Sequence, residues 1–244
     1  MRAWTEDTES GSCLFRMLSQ LSRSRYTPVG ALMDDNVQSI DPKSIMFTIP
    51  TVSNELPPLD PVETQPRNDE PQMHEDDWCQ VEFFYKGYVQ ELERMLREYK
   101  TFEASNRQMI TIEGEQCPIW RNAYVREVVR QPLLTGNEPA GQIARIVGGQ
   151  IGPAPVLYMT SSWSGRVQKG FSVGVGRNVY LYGYVMNDDV PVIGASLGPD
   201  PDDQALVRAF TRLNAALGLV LVDWKQQFIL LDTSPNGKIK VWQP

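Results

Sequence analysis

Residues 170–184 read GFSVGVGRNVYLYGY, and this stretch decides the class of fold. Two β-prone runs lie on either side of Arg177-Asn178, the pair that a two-residue hairpin turn would occupy. In that register the tyrosines share one face of the hairpin with apolar partners, and the glycines lie on the other face. The pairs on the first face are Val175 with Tyr180, Val173 with Tyr182 and Phe171 with Tyr184. Strands that follow one another directly predict an antiparallel sheet.

The glycine pair of the same stretch also suggests a dinucleotide-binding loop, which needs the pattern G-x-G-x-x-G between a strand and a helix. Gly174 and Gly176 are present, but Val179 occupies the place of the third glycine. A second strand follows the pair, so no helix N-terminus is available to bind a phosphate. The sequence therefore predicts a hairpin here and no nucleotide site.

Two amphipathic helices are predicted outside the hairpin. One covers GYVQELERMLREYKTFEAS (87–105), and the other covers DPDDQALVRAFTRLNAALG (200–218), where Asp200 or Asp202 is the candidate N-cap and Gly218 the C-terminal glycine. Most of the remaining β-prone runs between residue 78 and the C-terminus are short and follow one another. We therefore expect an α+β fold with a largely antiparallel sheet and two long amphipathic helices packed on it.

The prolines divide the chain into three segments. Eight of the eighteen prolines lie between Pro28 and Pro71, a stretch that cannot hold a long helix or a central strand. Residues 1–53 are predicted to contain a helix at 12–21 and a short strand at 44–49. Residues 54–77 are predicted to be an acidic, proline-rich linker, and residues 78–244 the main α+β domain.

The net charge of −7 comes from one segment. Residues 54–77 hold eight acids and one base, and the other 220 residues balance at 22 acids and 22 bases. An acidic segment can imitate phosphate or cover a basic nuclease cleft, whereas a solvated spacer is the alternative. The candidate partner-binding acids come from this segment and from a predicted turn near residue 188: Glu63, Asp69, Glu70, Glu75, Asp76, Asp77, Asp188 and Asp189.

The sequence offers no conventional catalytic set. The single histidine, His74, lies in the acidic segment, and the three cysteines have no spacing typical of zinc ligands. We therefore predict no catalytic residue, cofactor or metal. The sequence has no basic stripe for nucleic acid and no apolar run of about 20 residues for a membrane. The acidic N-terminus is unlike a secretory signal, so we expect a cytoplasmic protein.

One motif favours an enzyme instead. Asp200 and the Asp223-Trp224-Lys225 stretch resemble the PD…(D/E)xK pattern of restriction-endonuclease-like nucleases. In that family two carboxylates hold Mg²⁺ and the lysine stabilises the attacking water or the scissile phosphate. A predicted helix separates the two halves of the motif here, and in the family they usually lie on neighbouring strands. A Mg²⁺-dependent nuclease that uses Asp200, Asp223 and Lys225 is the alternative function.

Two stretches, SSWSGRVQKGFSVGVGRNVYLYGYV (161–185) and LVRAFTRLNAALGLVLVDW (206–224), resemble cytoplasmic immunity proteins of type VI secretion and polymorphic toxin systems. The resemblance implies a bacterial, non-enzymatic α+β protein that neutralises a cognate protein toxin by direct binding. Immunity proteins of the TsiT type, paired with restriction-endonuclease-fold toxins, often carry Trp-Asn-Gly where this chain has Ser162-Trp163-Ser164-Gly165. A structural or assembly protein is a further alternative, expected if the aromatic face of the sheet is exposed.

Overall fold

The computed structural model describes residues 47–62, 66, 70–112, 114–159, 164–234 and 236–244. The chain divides into two compact units. Described residues within 47–50 and 102–123 belong to the first unit, and those within 51–101 and 124–244 belong to the second. The helix predicted at 12–21 and the beginning of the strand predicted at 44–49 lie outside the described residues.

The described residues form three α-helices, which are α1 (Val89–Asn106), α2 (Pro139–Val147) and α3 (Asp203–Leu217). Seventeen strands lie in the same ranges: β1 (Thr51–Ser53), β2 (Leu59–Pro61), β3 (Gln72–His74), β4 (Val81–Tyr85), β5 (Arg107–Ile112), β6 (Glu115–Trp120), β7 (Tyr124–Arg126), β8 (Leu134–Thr135), β9 (Gln150–Gly152), β10 (Val156–Tyr158), β11 (Ser164–Val167), β12 (Gly170–Gly176), β13 (Val179–Met186), β14 (Asp189–Leu197), β15 (Leu219–Asp223), β16 (Phe228–Thr233) and β17 (Ile239–Trp242). The predicted α+β class with largely antiparallel sheets is confirmed, and the short α2 adds a third helix to the two long ones.

The first unit is built on the β5–β6 hairpin. Ile112 pairs with Glu115 at its turn, and Gly114 takes a positive φ of 89° that suits glycine. Phe47 and Trp120 exchange backbone hydrogen bonds of 2.8 and 2.9 Å. The described end of the predicted N-terminal strand therefore makes a single bridge to this hairpin.

The second unit is built on a nine-stranded sheet. Eight of its strands follow the order β17-β16-β15-β4-β14-β13-β12-β9, and β8 pairs with β14. A smaller sheet has the order β2-β11-β10-β3, in which β3 and β10 are parallel. Strands β1 and β7 form a separate parallel pair. The described part of the acidic segment thus contributes β2 and β3 to the smaller sheet. The domain boundaries predicted from the sequence remain predictions.

Alternate side chains of the large sheet point to two different layers. Phe83 packs with α2 and α3 on one face, whereas Phe84 packs with α1 on the opposite face. The smaller sheet covers the second face beside α1, where Tyr182 and Val192 pack against Leu157. The buried apolar stripe predicted for α1 is confirmed at Leu92, Met95, Leu96 and Tyr99.

The ends of α3 follow the predicted capping pattern. The Asp202 side chain accepts a hydrogen bond of 3.2 Å from the amide of Ala205, so Asp202 and not Asp200 is the N-cap. Gly218 follows the helix with a φ of 65°. No helix among the described residues is long and apolar enough to cross a membrane.

The β12–β13 hairpin exists, but its predicted register is wrong. Gly174 pairs with Tyr180 and Ser172 with Tyr182, with an irregularity between Gly174 and Gly176. A bulge adds one residue to one strand and shifts every pair beyond it by one position. The positive φ of the turn falls on Asn178, at 54°, and asparagine tolerates that conformation.

The tyrosines therefore lie opposite glycine and serine, and small neighbours make room for a buried ring. Tyr182 is fully buried, and its hydroxyl accepts a hydrogen bond of 2.9 Å from the Cys79 amide. A Cβ atom on Gly194 would lie 2.4 Å from the Tyr182 ring, so the sheet needs glycine there. At Tyr182 the aromatic face is part of the core.

Candidate functional site

A cleft of about 380 Å³ opens at one end of the large sheet. β4 is antiparallel to both β14 and β15, so those two strands run in the same direction and both end beside the start of β4. β14 and β4 share the single pair Gly194 and Glu82, and the strands separate beyond it. The cleft is lined by Gln72, Met73, Asp77, Gln80, Val81, Tyr182, Ala195, Ser196, Leu197, Gly198, Asp223, Lys225 and Gln226.

The central tryptophan, Trp224, fixes the position of the Asp223-Trp224-Lys225 stretch. Trp224 is fully buried, its ring meets Phe84 edge to face at 6.3 Å, and its indole N–H donates to Glu82 at 2.9 Å. The Trp224 amide also donates to the Gln80 carbonyl at 2.9 Å. With Trp224 anchored in the core, Asp223 and Lys225 on either side of it line the cleft.

The charged side chains that line the cleft are Asp77, Asp223 and Lys225. The Lys225 ammonium donates to the Asp77 carboxylate at 2.8 Å. Asp223 accepts a hydrogen bond of 2.9 Å from the Gln226 amide, and it makes no ion pair within the part of the chain that the structure describes. Burial raises the pKa of the Asp223 carboxyl to about 6, although the Gln226 amide and the Lys225 charge both favour its ionised form.

A buried polar network lies next to the cleft. Arg130 forms an ion pair with Glu82, whose side chain is 1% exposed. Arg126 donates to the Thr51 hydroxyl and to the Cys79 carbonyl at 3.0 Å each, and its guanidinium lies 5.2 Å from the centre of the Trp224 ring. Because buried charges persist only when they are paired and hydrogen-bonded, this network fixes the start of β4 and the Trp224 ring.

Sequence reasoning missed this network. The sequence feature that could have indicated the network is Glu82, an acid inside the apolar run WCQVEFFY. Acidic residues are rarely fully buried unless they are paired. The partners, Arg126 and Arg130, come from a stretch more than 40 residues away that no motif distinguishes. Only the pairing of the strands brings them together.

Three acids lie on one turn beside the cleft. Residues Glu75–Asp77 form a short 3₁₀ helix, which we call the acidic turn. The Gln80 side chain donates to the Asp76 carbonyl at 2.6 Å, and the Trp78 amide donates to the Glu75 carbonyl at 3.1 Å. His74 lies 3.3 Å from the Asp76 carboxylate, which raises the pKa of the His74 imidazole. The acidic turn is thus fixed through both its backbone and its side chains.

The other predicted partner-binding acids are dispersed. Glu70 is buried in an ion pair of 2.8 Å with Arg166, in a smaller cavity of about 180 Å³ that shares Gln72, Ser196 and Gly198 with the cleft. Glu63 and Asp69 lie outside the described residues. The structure therefore places Asp77 in the lining of the cleft, with Glu75 and Asp76 on the same turn and Glu70 buried at the neighbouring cavity.

Asp188 and Asp189 lie at the far end of the sheet. Asp188 belongs to the β13–β14 turn with a φ of 64°, and Asp189 begins the nine-residue β14. At about 3.3 Å per residue, the six residue steps from Asp189 to Ala195, the first residue of β14 that lines the cleft, span about 20 Å. These two acids and the acidic turn therefore belong to different surfaces.

The two halves of the nuclease-like motif, Asp200 and the Asp223-Trp224-Lys225 stretch, do not meet at one site as the family pattern requires. Asp200 forms an exposed ion pair of 2.9 Å with Arg177 and is not among the residues that line the cleft. No group of three histidine, cysteine or acidic side chains within the described ranges is arranged to hold a metal ion. Asp223 and Lys225 do share the cleft, with Asp77 as the second carboxylate.

Comparison of the chain with protein-family models, with curated proteins and with solved structures finds no significant match in any of the three. The described part of the chain is an α+β protein with an acidic turn beside a cleft that is lined in part by polar and charged side chains.

Proposed function

We propose that this chain is a non-enzymatic binding protein, and more specifically a cytoplasmic immunity protein that neutralises a cognate protein toxin by direct binding. The observation that carries the proposal is the acidic turn, which holds three consecutive carboxylates beside a cleft. The resemblance of residues 161–185 and 206–224 to immunity proteins of type VI secretion systems supports the narrower form of the proposal. In that form the toxin is a nuclease with a basic active-site cleft.

The arrangement of the acidic turn suits recognition of a basic surface. Its backbone is already ordered by Gln80 and Trp78, so binding loses little conformational entropy there. Three adjacent negative charges attract a positive partner over several ångströms and accelerate the encounter. The negative charge excess of the chain lies in the segment that carries this turn, and the remainder of the sequence is balanced.

The test is a binding measurement with the toxin encoded by the adjacent gene. We expect the triple variant Glu75→Gln, Asp76→Asn, Asp77→Asn to bind at least tenfold more weakly than the wild type, chiefly through a slower association rate. Its salt dependence should be shallower, because charges that steer association are screened by salt. Titration calorimetry and stopped-flow fluorescence would measure both effects, and toxin inhibition would measure protection.

A matched triple variant keeps the change of net charge but moves it elsewhere. Glu138, Asp203 and Asp232 are exposed and distant in sequence from the acidic turn, so Glu138→Gln, Asp203→Asn, Asp232→Asn should weaken binding less than threefold. An equal loss in both triple variants would mean that only the total charge matters. Absence of any complex between the wild-type protein and the toxin would overturn the immunity proposal itself.

Asp188 and Asp189 form a separate arm of the same experiment. The pair Asp188→Asn, Asp189→Asn changes a surface about 20 Å from the cleft. If the toxin covers only the cleft end of the sheet, this variant binds as tightly as the wild type. A tenfold loss would extend the contact surface to the β13–β14 turn.

A Mg²⁺-dependent nuclease is the second candidate, and one observation favours it. Asp223 and Lys225 line the same cleft as Asp77, so two carboxylates and a lysine are close enough to surround a phosphate. This proposal requires Mg²⁺-dependent DNA cleavage that Asp223→Ala abolishes. Asp200→Ala should leave that cleavage intact, because Asp200 pairs with Arg177 away from the cleft. Lack of cleavage at any Mg²⁺ concentration would rule it out.

A further inference from the structure

Asp223 is an acidic group at the cleft that makes no ion pair within the described residues, and among nearby charges only that of Lys225 favours its ionised form. Among the residues that the structure describes, Lys225 is the only basic side chain that lines the cleft, and it makes its ion pair with Asp77. Asp223 is held in place by the Gln226 amide and is the last residue of β15, in which Leu221 and Val222 are fully buried. A partly buried carboxylate in such surroundings is stabilised by a cationic group that enters from outside.

The walls of the cleft suit a cation on an apolar stem. Met73 and Leu197 supply apolar surface, and Ser196 and Gln226 supply oxygen acceptors. The volume of about 380 Å³ falls at the lower end of ordinary ligand cavities, which run from about 300 to 1,000 Å³. Arginine matches this lining better than lysine, since its planar guanidinium is weakly hydrated and donates several hydrogen bonds at once.

We propose that the cleft receives an arginine side chain of the partner protein, whose guanidinium pairs with the Asp223 carboxylate. The inference rests on the proposed binding function and names the chemistry of one contact. The acidic turn attracts the basic surface of the partner, and the cleft anchors one residue of that surface. Buried arginines of this kind often carry a large share of the binding energy at protein interfaces.

The direct test uses a small arginine probe and an uncharged analogue of the same shape. Nα-acetyl-arginine amide is titrated into the ¹⁵N-labelled protein, and Nα-acetyl-citrulline amide serves as the control. For a probe of about 15 heavy atoms we expect a dissociation constant of about 1 mM. The amides of Asp223, Lys225 and Gln226 should shift with the arginine probe, and citrulline should bind at least tenfold more weakly. Equal binding of the two probes would overturn the proposal.

Three single variants test whether the arginine probe binds at Asp223. Asp223→Asn should lose at least tenfold in affinity for the arginine probe and should keep the hydrogen bond from the Gln226 amide. Asp232→Asn, on the exposed part of β16, should bind as the wild type does. Lys225→Gln should bind two- to fivefold more tightly, because it removes a positive charge and releases Asp77. Weaker binding by Lys225→Gln would contradict the proposal, whereas the nuclease candidate requires Lys225 for activity.

The pH dependence gives a further readout. The charged groups at the cleft are Asp77 and Lys225 besides Asp223, and the Asp223 carboxyl has a pKa near 6 because of burial. Only its ionised form attracts a guanidinium, so affinity should fall about tenfold between pH 7.5 and pH 5. The Asp223→Asn variant should lose this dependence. A dependence that persists in Asp223→Asn would assign it to another group and contradict the proposed contact.

The experiments separate this inference from the proposed function. If the toxin binds while the arginine probe does not, the binding function stands and the arginine contact is wrong. If the probe binds at Asp223 while the adjacent toxin forms no complex, the arginine site stands and the immunity function is wrong. If Mg²⁺ shifts the same three amides and displaces the probe, the cleft is a metal site and the arginine proposal fails.

Discussion

The side chains of Lys225 and Asp77 meet at 2.8 Å across 148 positions of sequence. This ion pair joins the turn after β15 to the acidic turn and closes one side of the cleft. Both side chains are more than 40% exposed, so solvent screens their attraction. The pair positions two charges at the cleft without contributing greatly to folding.

We therefore expect a weak coupling between these two residues. In a double-mutant cycle with Lys225→Gln and Asp77→Asn, the coupling free energy should be below about 1 kcal/mol, as for other exposed pairs. Urea unfolding at low and at high salt measures it, and high salt should reduce it further. A coupling above about 2 kcal/mol would show that the pair is shielded from solvent.

The Asp223 carboxyl should make stability fall as the pH rises. Its pKa is about 6 in the folded chain against 3.8 in the reference state, so the folded chain binds the proton more tightly between pH 4 and pH 6. One pKa unit corresponds to about 1.4 kcal/mol, and ionised Asp223 therefore destabilises the fold by up to about 3 kcal/mol above pH 6. Asp223→Asn should raise the free energy of unfolding by about 1–3 kcal/mol at pH 7.5 and leave it unchanged at pH 4.

The matched control for this measurement is Asp232→Asn, a change at an exposed position that should alter stability by less than about 0.5 kcal/mol at either pH. Denaturant unfolding at several pH values follows both variants. If Asp223→Asn raised the free energy of unfolding as much at pH 4 as at pH 7.5, the substitution would act through packing and not through the charge of the carboxylate. A stabilised variant that also loses the partner would identify Asp223 as a residue kept for binding at the expense of folding.

Removal of the buried acid at Glu82 should be strongly destabilising. Its carboxylate pairs with Arg130 and accepts the indole N–H of Trp224, and Glu82→Ala leaves both donors without that partner. Breaking one side of a buried pair costs about 3–5 kcal/mol. Chemical denaturation should detect this loss, and near-ultraviolet circular dichroism should show a changed Trp224 environment. Glu55→Ala, which removes an exposed carboxylate 3.8 Å from Arg130, should cost less than about 1 kcal/mol.

Gly194 provides a test of the packing under the smaller sheet. In Gly194→Ala the new Cβ atom would lie 2.4 Å from the Tyr182 ring, so ring and strand must shift. Overpacking of this kind costs about 1–3 kcal/mol. Gly87→Ala is the control, since nothing lies within 4 Å of its Cβ position. Thermal unfolding should show a lower midpoint for Gly194→Ala alone, and equal midpoints would contradict the packing described here.

Local patterns in the sequence predicted the local structure well. The apolar stripe of residues 87–105 predicted α1, and Gly218 marked the end of α3, whose N-cap is Asp202, one of the two predicted candidates. These features depend on neighbours within one or two helical turns, which the sequence places directly. The hairpin at 170–184 was also predicted, but a bulge near Gly174 changed which faces its residues share. A bulge depends on what packs above the strand, and here Gly176 lies against Ala205 and Asp202 at the start of α3.

The cleft shows what only tertiary structure could decide. The Asp223-Trp224-Lys225 stretch was visible in the sequence, yet the second carboxylate at the cleft is Asp77 of the acidic turn and not Asp200, which the nuclease-like motif predicted. The order β14-β4-β15 brings those groups together, and strand order arises from contacts between segments more than 100 residues apart. The sequence by itself determined the α+β class, the helix ends and the location of the negative charge. The tertiary structure decided which charges meet, because pairing between distant strands depends on how all layers pack together.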